Sequence, residues 1–277
     1  MRNLEILVLS DLHLGTYGSR ANQLLQYLKS VSPKHVILNG DLIDFWQLRP
    51  GFWPQSHTAV IEHVLMWLKS GVRVDYICGN HDETLRRFLG FTHGNLSILN
   101  ELVLEQNGKK VWFTHGDLFD GSMENKRLAK WGGRWYDRSI YWNDQLNRLL
   151  LKVGLKPVQI SKSLKDGVKR MVNKKHKWEE TAAEAAVNNG YDLLVVGHIH
   201  KPEIREIQTT NGRVLYLNSG DWMENLSSLE YQEGKWTLYR HGKPLPETFQ
   251  EAAPSKQYSP VDEVLTKLLS ELGVPAN

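Results

Sequence analysis

Short apolar runs alternate with longer amphipathic stretches from the first residues of the chain, and five of the runs stop on a polar motif. The runs are Leu4 to Leu9, His35 to Leu38, Val74 to Cys78, Val111 to Thr114 and Leu193 to Val196. Each is brief, rich in Val, Ile and Leu, and closed by Gly or Asp, the pattern of a strand buried on both faces. Asn22 to Lys29 and Thr58 to Lys69 read as helices between them, so the chain opens as an alternating α/β fold. From Leu118 to Asn189 the alternation stops and a long helical region is expected. In it Trp135, Trp142, Leu146 and Leu149 recur at spacings that share one helical face. Strand patterns resume at Val214 to Leu217, Ser228 to Tyr231 and Trp236 to Tyr239, the last two joined by a Gly-containing turn. Pro244 and Pro246 open a linker, and Val261 to Leu272 forms a mildly acidic amphipathic tail.

The motifs that end the five runs are Asp11-Leu12-His13, Gly40-Asp41-Leu42-Ile43-Asp44, Gly79-Asn80-His81-Asp82, His115-Gly116-Asp117 and Gly197-His198-Ile199-His200. Carboxyl ends of parallel strands converge on one sheet edge, where open α/β folds carry their sites. Brought together there, these residues supply ligands for two divalent ions. Such ions stand roughly 3.5–4 Å apart and need a shared anionic ligand to offset their repulsion. Asp41 suits the bridge. Asp11 and His13 with one distal histidine complete one shell; Asn80 and His115 with the other distal histidine complete the second. His198 and His200 lie one residue apart in an extended segment and can each reach a different ion. Nitrogen and oxygen donors without thiolate favour Mn²⁺, Fe²⁺ or Zn²⁺. His81 is left free to touch a reacting phosphoryl group or protonate a leaving oxygen, with Asp44 orienting it. Asp82 and Asp117 either brace the ligands or cap the turns that follow. The remaining histidines, His35, His57, His63, His93, His176 and His241, have no such context and read as core or surface residues.

Composition narrows the setting. A 41% apolar content supports a substantial core. Cys78, the single cysteine, excludes a disulfide framework and suits a reducing compartment. The chain enters a strand almost at once, so no signal peptide is expected, and no apolar run approaches the roughly 20 residues that span a bilayer. The net charge of +3 conceals nine Lys or Arg between Lys152 and Trp178 against one acid, Asp166. That block of +8 leaves −5 for the rest of the chain, and reads either as a solvated helix face or as a contact for anionic head groups.

The ordered set Asp-X-His, Gly-Asp-X-X-Asp, Gly-Asn-His-Asp, His and Gly-His-X-His resembles the signature of calcineurin-like metallophosphoesterases. The resemblance covers residues 1–245 and implies a four-layer α/β/β/α sandwich with the dinuclear site at the strand ends. It implies one ion on Asp11, His13, Asp41 and His200, and a second on Asp41, Asn80, His115 and His198. A helical cap insertion at about 119–189 together with Asp-Leu-His-Leu near the start is similar to the UDP-2,3-diacylglucosamine pyrophosphatases of lipid A synthesis. That likeness implies a lipid-linked substrate, acyl chains held by the cap around Trp131 to Leu151, Mn²⁺ as the usual ion, and a cytoplasmic protein in peripheral contact with the inner membrane face through Lys162–Lys177. Residues 246–277 would be a linker and tail outside that domain. One position departs from the group: its best-known members carry arginine where this chain has His81, which is the general phosphoesterase residue. Activity on another phospholipid, nucleotide or phosphoprotein therefore stays open. A nucleic-acid-processing role through the basic stretch is the weaker alternative, because the chain lacks a recognised nucleic-acid module.

Overall fold

The computed structural model describes residues 1–120 and 177–243. The twelve strands among them are β1 (Arg2–Leu9), β2 (Val31–Asn39), β3 (Arg73–Ile77), β4 (Thr92–His93), β5 (Leu96–Leu99), β6 (Glu101–Gln106), β7 (Lys109–Thr114), β8 (Leu193–Val196), β9 (Glu203–Thr209), β10 (Gly212–Asn218), β11 (Ser227–Gln232) and β12 (Lys235–Arg240). The helices are α1 (Ala21–Leu28), α2 (Gln55–Lys69) and α3, helical over 177–188. The helical-face residues Trp135, Trp142, Leu146 and Leu149, most of the basic stretch, and the tail from Val261 lie outside the described residues.

Two sheets form, in the orders β12-β11-β1-β2-β3-β5-β4 and β6-β7-β8-β10-β9. Each has a parallel centre and antiparallel edges: β1, β2, β3 and β5 run together in the first, β7, β8 and β10 in the second. The period of two along each central strand sorts its side chains between two cores. Ile6, Val8, Ile37 and Ile77 meet Val111, Phe113, Val195 and Leu217 between the sheets. The alternate residues Leu7, Leu9, Val36, Leu38 and Val74 pack on Leu24, Tyr27 and Leu28 of α1 and on Val60, Val64 and Trp67 of α2. Each such side chain, fully buried, contributes roughly 1.5–3 kcal/mol. On the far face of the second sheet Trp112, Leu194 and Tyr216 are buried, and α3 supplies buried Ala182, Ala183 and Ala186. The end of α3 reaches the β9–β10 turn, where Asn211 Nδ2 donates to Asn188 Oδ1 at 2.8 Å. The layers are therefore α/β/β/α.

The central strands match the apolar runs, whereas β2 begins earlier than its run and takes in Pro33. That proline pairs only with β1, opposite Leu4, because β3 joins β2 from His35 onward; a missing donor is tolerated where one side of a strand is unpaired. Four strands lay outside the apolar runs: β4, β5, β6 and β9. In β6 (ELVLEQ) burial alternates along the strand, with Leu102 and Leu104 turned inward and Val103 outward, whereas β9 (EIREIQT) carries only two apolar residues, Ile204 and Ile207; both are edge strands with one wet face. The expected β11–β12 turn is Glu233-Gly234, with φ of 51° and 78°, the two positive values a tight hairpin requires. No helix among the described residues is long and apolar enough to cross a membrane.

Candidate metal centre

Six parallel strands deliver their carboxyl ends to one place. β1 leads into Asp11, β2 into Asp41, β3 into Asn80, β7 into His115, β8 into His198 and β10 into Asp221. The connecting backbones are tied to one another: Asp11 N–H donates to Gly40 O, His13 N–H to Asp41 O, and Gly197 N–H to His115 O, each at 3.0 Å. Five of the expected ligands sit at positive φ, Asp11 at 55°, His13 at 45°, Asp41 at 56°, His198 at 64° and His200 at 51°. That region is sparsely populated for residues other than Gly, with Asp and His among those that enter it. Each instance costs on the order of 1–3 kcal/mol, and such strain gathers at functional sites.

Close approach at these turns explains the neighbouring glycines. A Cβ on Gly79 would stand 2.1 Å from Asp41 Oδ1, and one on Gly197 would stand 2.5 Å from Asp11 Oδ2. Neither has a positive φ, so both are set by space rather than by turn shape.

The imidazoles are aimed by their outer nitrogens. His115 Nδ1 donates to Asn39 O at 2.9 Å, which turns Nε2 toward Asp41 Oδ2 and Asn80 Oδ1, both at 3.3 Å. His13 Nδ1 faces Asp44 Oδ2 at 3.2 Å, so its Nε2 lies 3.4 Å from His200 Nε2 and 3.9 Å from both Asp11 Oδ1 and Asp41 Oδ2. His200 Nε2 in turn stands 3.0 Å from Asp11 Oδ1. Three groups thus have donor atoms within 4.8 Å of one another: Asp11, His13 and His200; His13, Asp41 and His81; and Asp11, Asp41 and His115. His198 is held beside them, its N–H on Asp11 Oδ2 at 3.1 Å and its ring 5.2 Å from that of His115.

These residues fit divalent ions. Lone pairs of several carboxylates and imidazoles converge in a buried space, and Asp11 Oδ1 has no aligned hydrogen-bond donor. Such a set is stable only with cations or protons among its members. The electrostatics agree. Burial would push the Asp11 carboxyl up, but the charge of His200 outweighs it and brings it to about 2. Burial likewise acts against Asp41 and Asp44, and the adjacent histidines hold both below the usual carboxylate range. Burial depresses His200, yet Asp11 overcomes it and raises the imidazole to about 9.

His81 takes a separate position. Its Nδ1 lies 2.9 Å from Asp44 Oδ2, its ring stands edge-on to His13 at 4.6 Å, and its N–H donates to Asp41 Oδ1 at 2.8 Å. Burial would lower its pKa; Asp44 and Asp41 raise it above the ordinary value. Asp44 itself is locked by the N–H groups of Trp46 and Gln47, at 3.0 and 2.9 Å from Oδ1.

Other supporting residues lie outside the candidate ligands. Asp82 makes no side-chain cap to the 3₁₀ turn Glu83–Phe88; it accepts from Leu42 N–H at 2.9 Å, Tyr76 Oη at 2.5 Å and Gly79 N–H at 2.6 Å. It is a brace between the Asp41 and Asn80 loops. Asp117 instead pairs with Arg86 at 2.7 Å. The segment Asn218-Ser219-Gly220-Asp221 had the right signal, polar residues closing an apolar strand. Asn218 Nδ2 donates to Gly197 O at 2.9 Å. Asn225 Nδ2 joins Asp221 Oδ2 to His200 O, at 2.5 and 3.1 Å. Of the histidines set aside, His35 pairs with Asp75 at 2.8 Å, and His57 accepts Gly15 N–H at 2.9 Å.

Strand-end carboxylates and imidazoles gathered between two sheets define a metal-dependent hydrolase. The family model described as Calcineurin-like phosphoesterase matches residues 4–202, and the chain belongs to that family. Curated relatives include a protein named UDP-2,3-diacylglucosamine hydrolase from Aliivibrio fischeri (strain MJ11), 22% identical over 86% of this chain and 98% of its own. The protein of the same name from Aeromonas salmonicida (strain A449) is 26% identical over 87% and 95%. Among solved structures, wild-type Vps29 of Entamoeba histolytica complexed with Zn²⁺ is 16% identical, covers 88% of this chain and 97% of its own, and superposes with a TM-score of 0.41.

Proposed function

We propose that the chain is a dinuclear phosphoesterase that hydrolyses the pyrophosphate of UDP-2,3-diacylglucosamine or a related lipid-linked phosphoester. The observation that carries the reaction is the convergence of Asp11, His13, Asp41, His81, His115 and His200 within the three overlapping groups, with the Asn80 Oδ1 oxygen 3.3 Å from His115 Nε2. The substrate rests on the name shared by relatives that align over most of both chains.

Asp11, His13, Asp41 and His200 would hold one ion, and Asp41, Asn80, His115 and His198 the other, with Mn²⁺ favoured over Fe²⁺ or Zn²⁺. Such a pair lowers the pKa of water and neutralises phosphoryl oxygens in the transition state. The protein's own residues do the rest. Asp41 would serve both ions, its Oδ2 facing His13 at 3.9 Å and His115 at 3.3 Å while Oδ1 accepts the backbone N–H of His81, and the Nδ1 contacts of His13 and His115 keep their Nε2 lone pairs turned inward. His81, raised in pKa beside Asp44, carries the proton that the departing oxygen takes up. The water-derived nucleophile attacks directly, with no covalent enzyme intermediate. A lipid-linked substrate fits a cytoplasmic protein that touches the inner membrane face through Lys162–Lys177.

His81 favours a second reading, since arginine holds this position in the best-known enzymes of the lipid A group. A phosphodiesterase or phosphatase for another phospholipid, nucleotide or phosphoprotein would keep histidine there. Parallel assays on UDP-2,3-diacylglucosamine and bis-p-nitrophenyl phosphate, with Mn²⁺ and with chelator, separate the two. Metal-dependent UMP release far faster than diester cleavage is expected; cleavage of the simple diester alone would leave the second reading.

A further inference from the structure

Asp44 is followed by a loop rich in large apolar residues: Phe45, Trp46, Leu48, Phe52 and Trp53 fall within the next nine positions. The loop lies on the segment that follows His13. A Cβ on Gly15 would stand 2.7 Å from Leu48 Cδ1 and 3.5 Å from the Trp53 ring. The rings of Tyr17 and Phe52 are 3.8 Å apart, and the Arg49 guanidinium stands 5.8 Å from the Tyr17 centroid. At its inner end the loop reaches the reacting region, with Trp46 4.2 Å from the His81 ring and Phe45 N–H donating to His81 O at 3.1 Å.

Internal packing leaves much of this surface open. Tyr17 is 71% exposed, Leu48 43%, and Phe45 and Trp53 39% each. Single exposed hydrophobic residues are ordinary, but a contiguous group beside a site marks a binding surface.

We propose that the shelf running from His81 through Trp46, Phe45 and Leu48 to Tyr17 holds the apolar tail of an amphiphilic phosphoester whose phosphoryl group sits at the metal centre. The inference rests on the phosphoesterase reading above and assigns tail selection to loops of the phosphoesterase body itself. Continuity decides the occupant. A substrate leaving the centre past His81 meets Trp46 and Phe45 next, so what the shelf covers belongs to the molecule being cleaved. Rigid aromatic side chains suit that role, because they offer large contact area at small cost in conformational entropy.

The test uses a series of p-nitrophenyl alkyl phosphates, methyl to octyl, below their micelle concentrations, with Mn²⁺ and the full-length protein. Wild-type kcat/KM is expected to rise by about tenfold or more along the series, mainly through KM, each half-covered methylene contributing less than full burial would. Leu48→Asn and Tyr17→Ser, singly and together, should flatten the rise while keeping the thermal transition of the wild type. A flat wild-type series, or an undiminished rise in the folded variants, would overturn the proposal. So would a flat series combined with loss of binding to anionic vesicles in the variants, which would give the shelf to the membrane. Failure to cleave even the methyl ester would instead strike the metal-centre reading and take the shelf with it.

Discussion

Asp44 Oδ2 stands 2.9 Å from Nδ1 of His81, and the Asp44 carboxylate is held there by two backbone N–H groups rather than by the histidine it orients. Removing the His81 imidazole should therefore affect proton delivery more than ion binding, whereas Asp44 also faces Nδ1 of His13 at 3.2 Å. His81→Ala is expected to lower kcat by about 10²–10⁴-fold, the usual contribution of a positioned acid, with both ions retained. Metal analysis of the purified variant checks this, and loss of an ion would show that His81 is a ligand.

Asp41→Ala should be more severe. Its carboxylate serves His115 at 3.3 Å, His13 at 3.9 Å and the His81 N–H at 2.8 Å. Activity and stoichiometric metal binding should both vanish. Two tightly bound ions per chain in that variant would sink the bridging role.

Gly79→Ala tests the crowding beneath the bridge. The added methyl would meet Asp41 Oδ1 at 2.1 Å and Asp41 N at 2.7 Å, and backbone cannot move aside as a flexible side chain can. Overpacking of this kind costs about 1–3 kcal/mol. A lowered melting temperature with lost activity is expected, and an active variant of unchanged stability would contradict the geometry.

Chelation should remove activity and stability together, because ions bound only by the folded chain shift unfolding by mass action. Differential scanning fluorimetry with EDTA, then with Mn²⁺ restored, should show the transition fall and recover. Full hydrolytic activity in excess chelator would refute metal dependence.

Asp75 sets an acid limit away from the site. Burial pushes its carboxyl up, but His35 and Arg73, each at 2.8 Å, outweigh it and hold it below the ordinary range. A depressed carboxylate lends stability that is complete above the unfolded value of about 3.9 and disappears as pH falls through the folded one. Asp75→Asn should cost about 1–3 kcal/mol near neutrality, the scale of a lost charged hydrogen bond. The gap from wild type should close toward pH 3; a gap that stays constant with pH would argue against it.

The centre of the fold was legible because β1, β2, β3, β7 and β8 are buried on both faces over their carboxyl-terminal residues, which read as short, mostly apolar runs. Edge strands β6 and β9 were not, since β6 holds only three apolar residues between acidic and amide ones and β9 only two, set three apart among Glu, Arg and Gln, too little for a run-based reading. At the site, the candidate ligands stand out in the sequence by type and order. The braces stand out less: Asp44 reads as a partner of His81 and Asp82 as either brace or turn cap, while Asn39 acts through backbone groups of a distant loop, a contact that no local spacing encodes. Asn218 and Asp221 carried the same strand-end signal as the ligands and were recoverable from it.

The ligands of one proposed ion stand at positions 11 and 200, and Asp11 is fixed by Gly40 O before it and Trp222 N–H beyond. A chain growing from its amino terminus therefore has no complete pocket for that ion until most of its length has been made. Loading belongs to the end of biogenesis, and a product truncated before β8 would carry the opening motifs with nothing to close them.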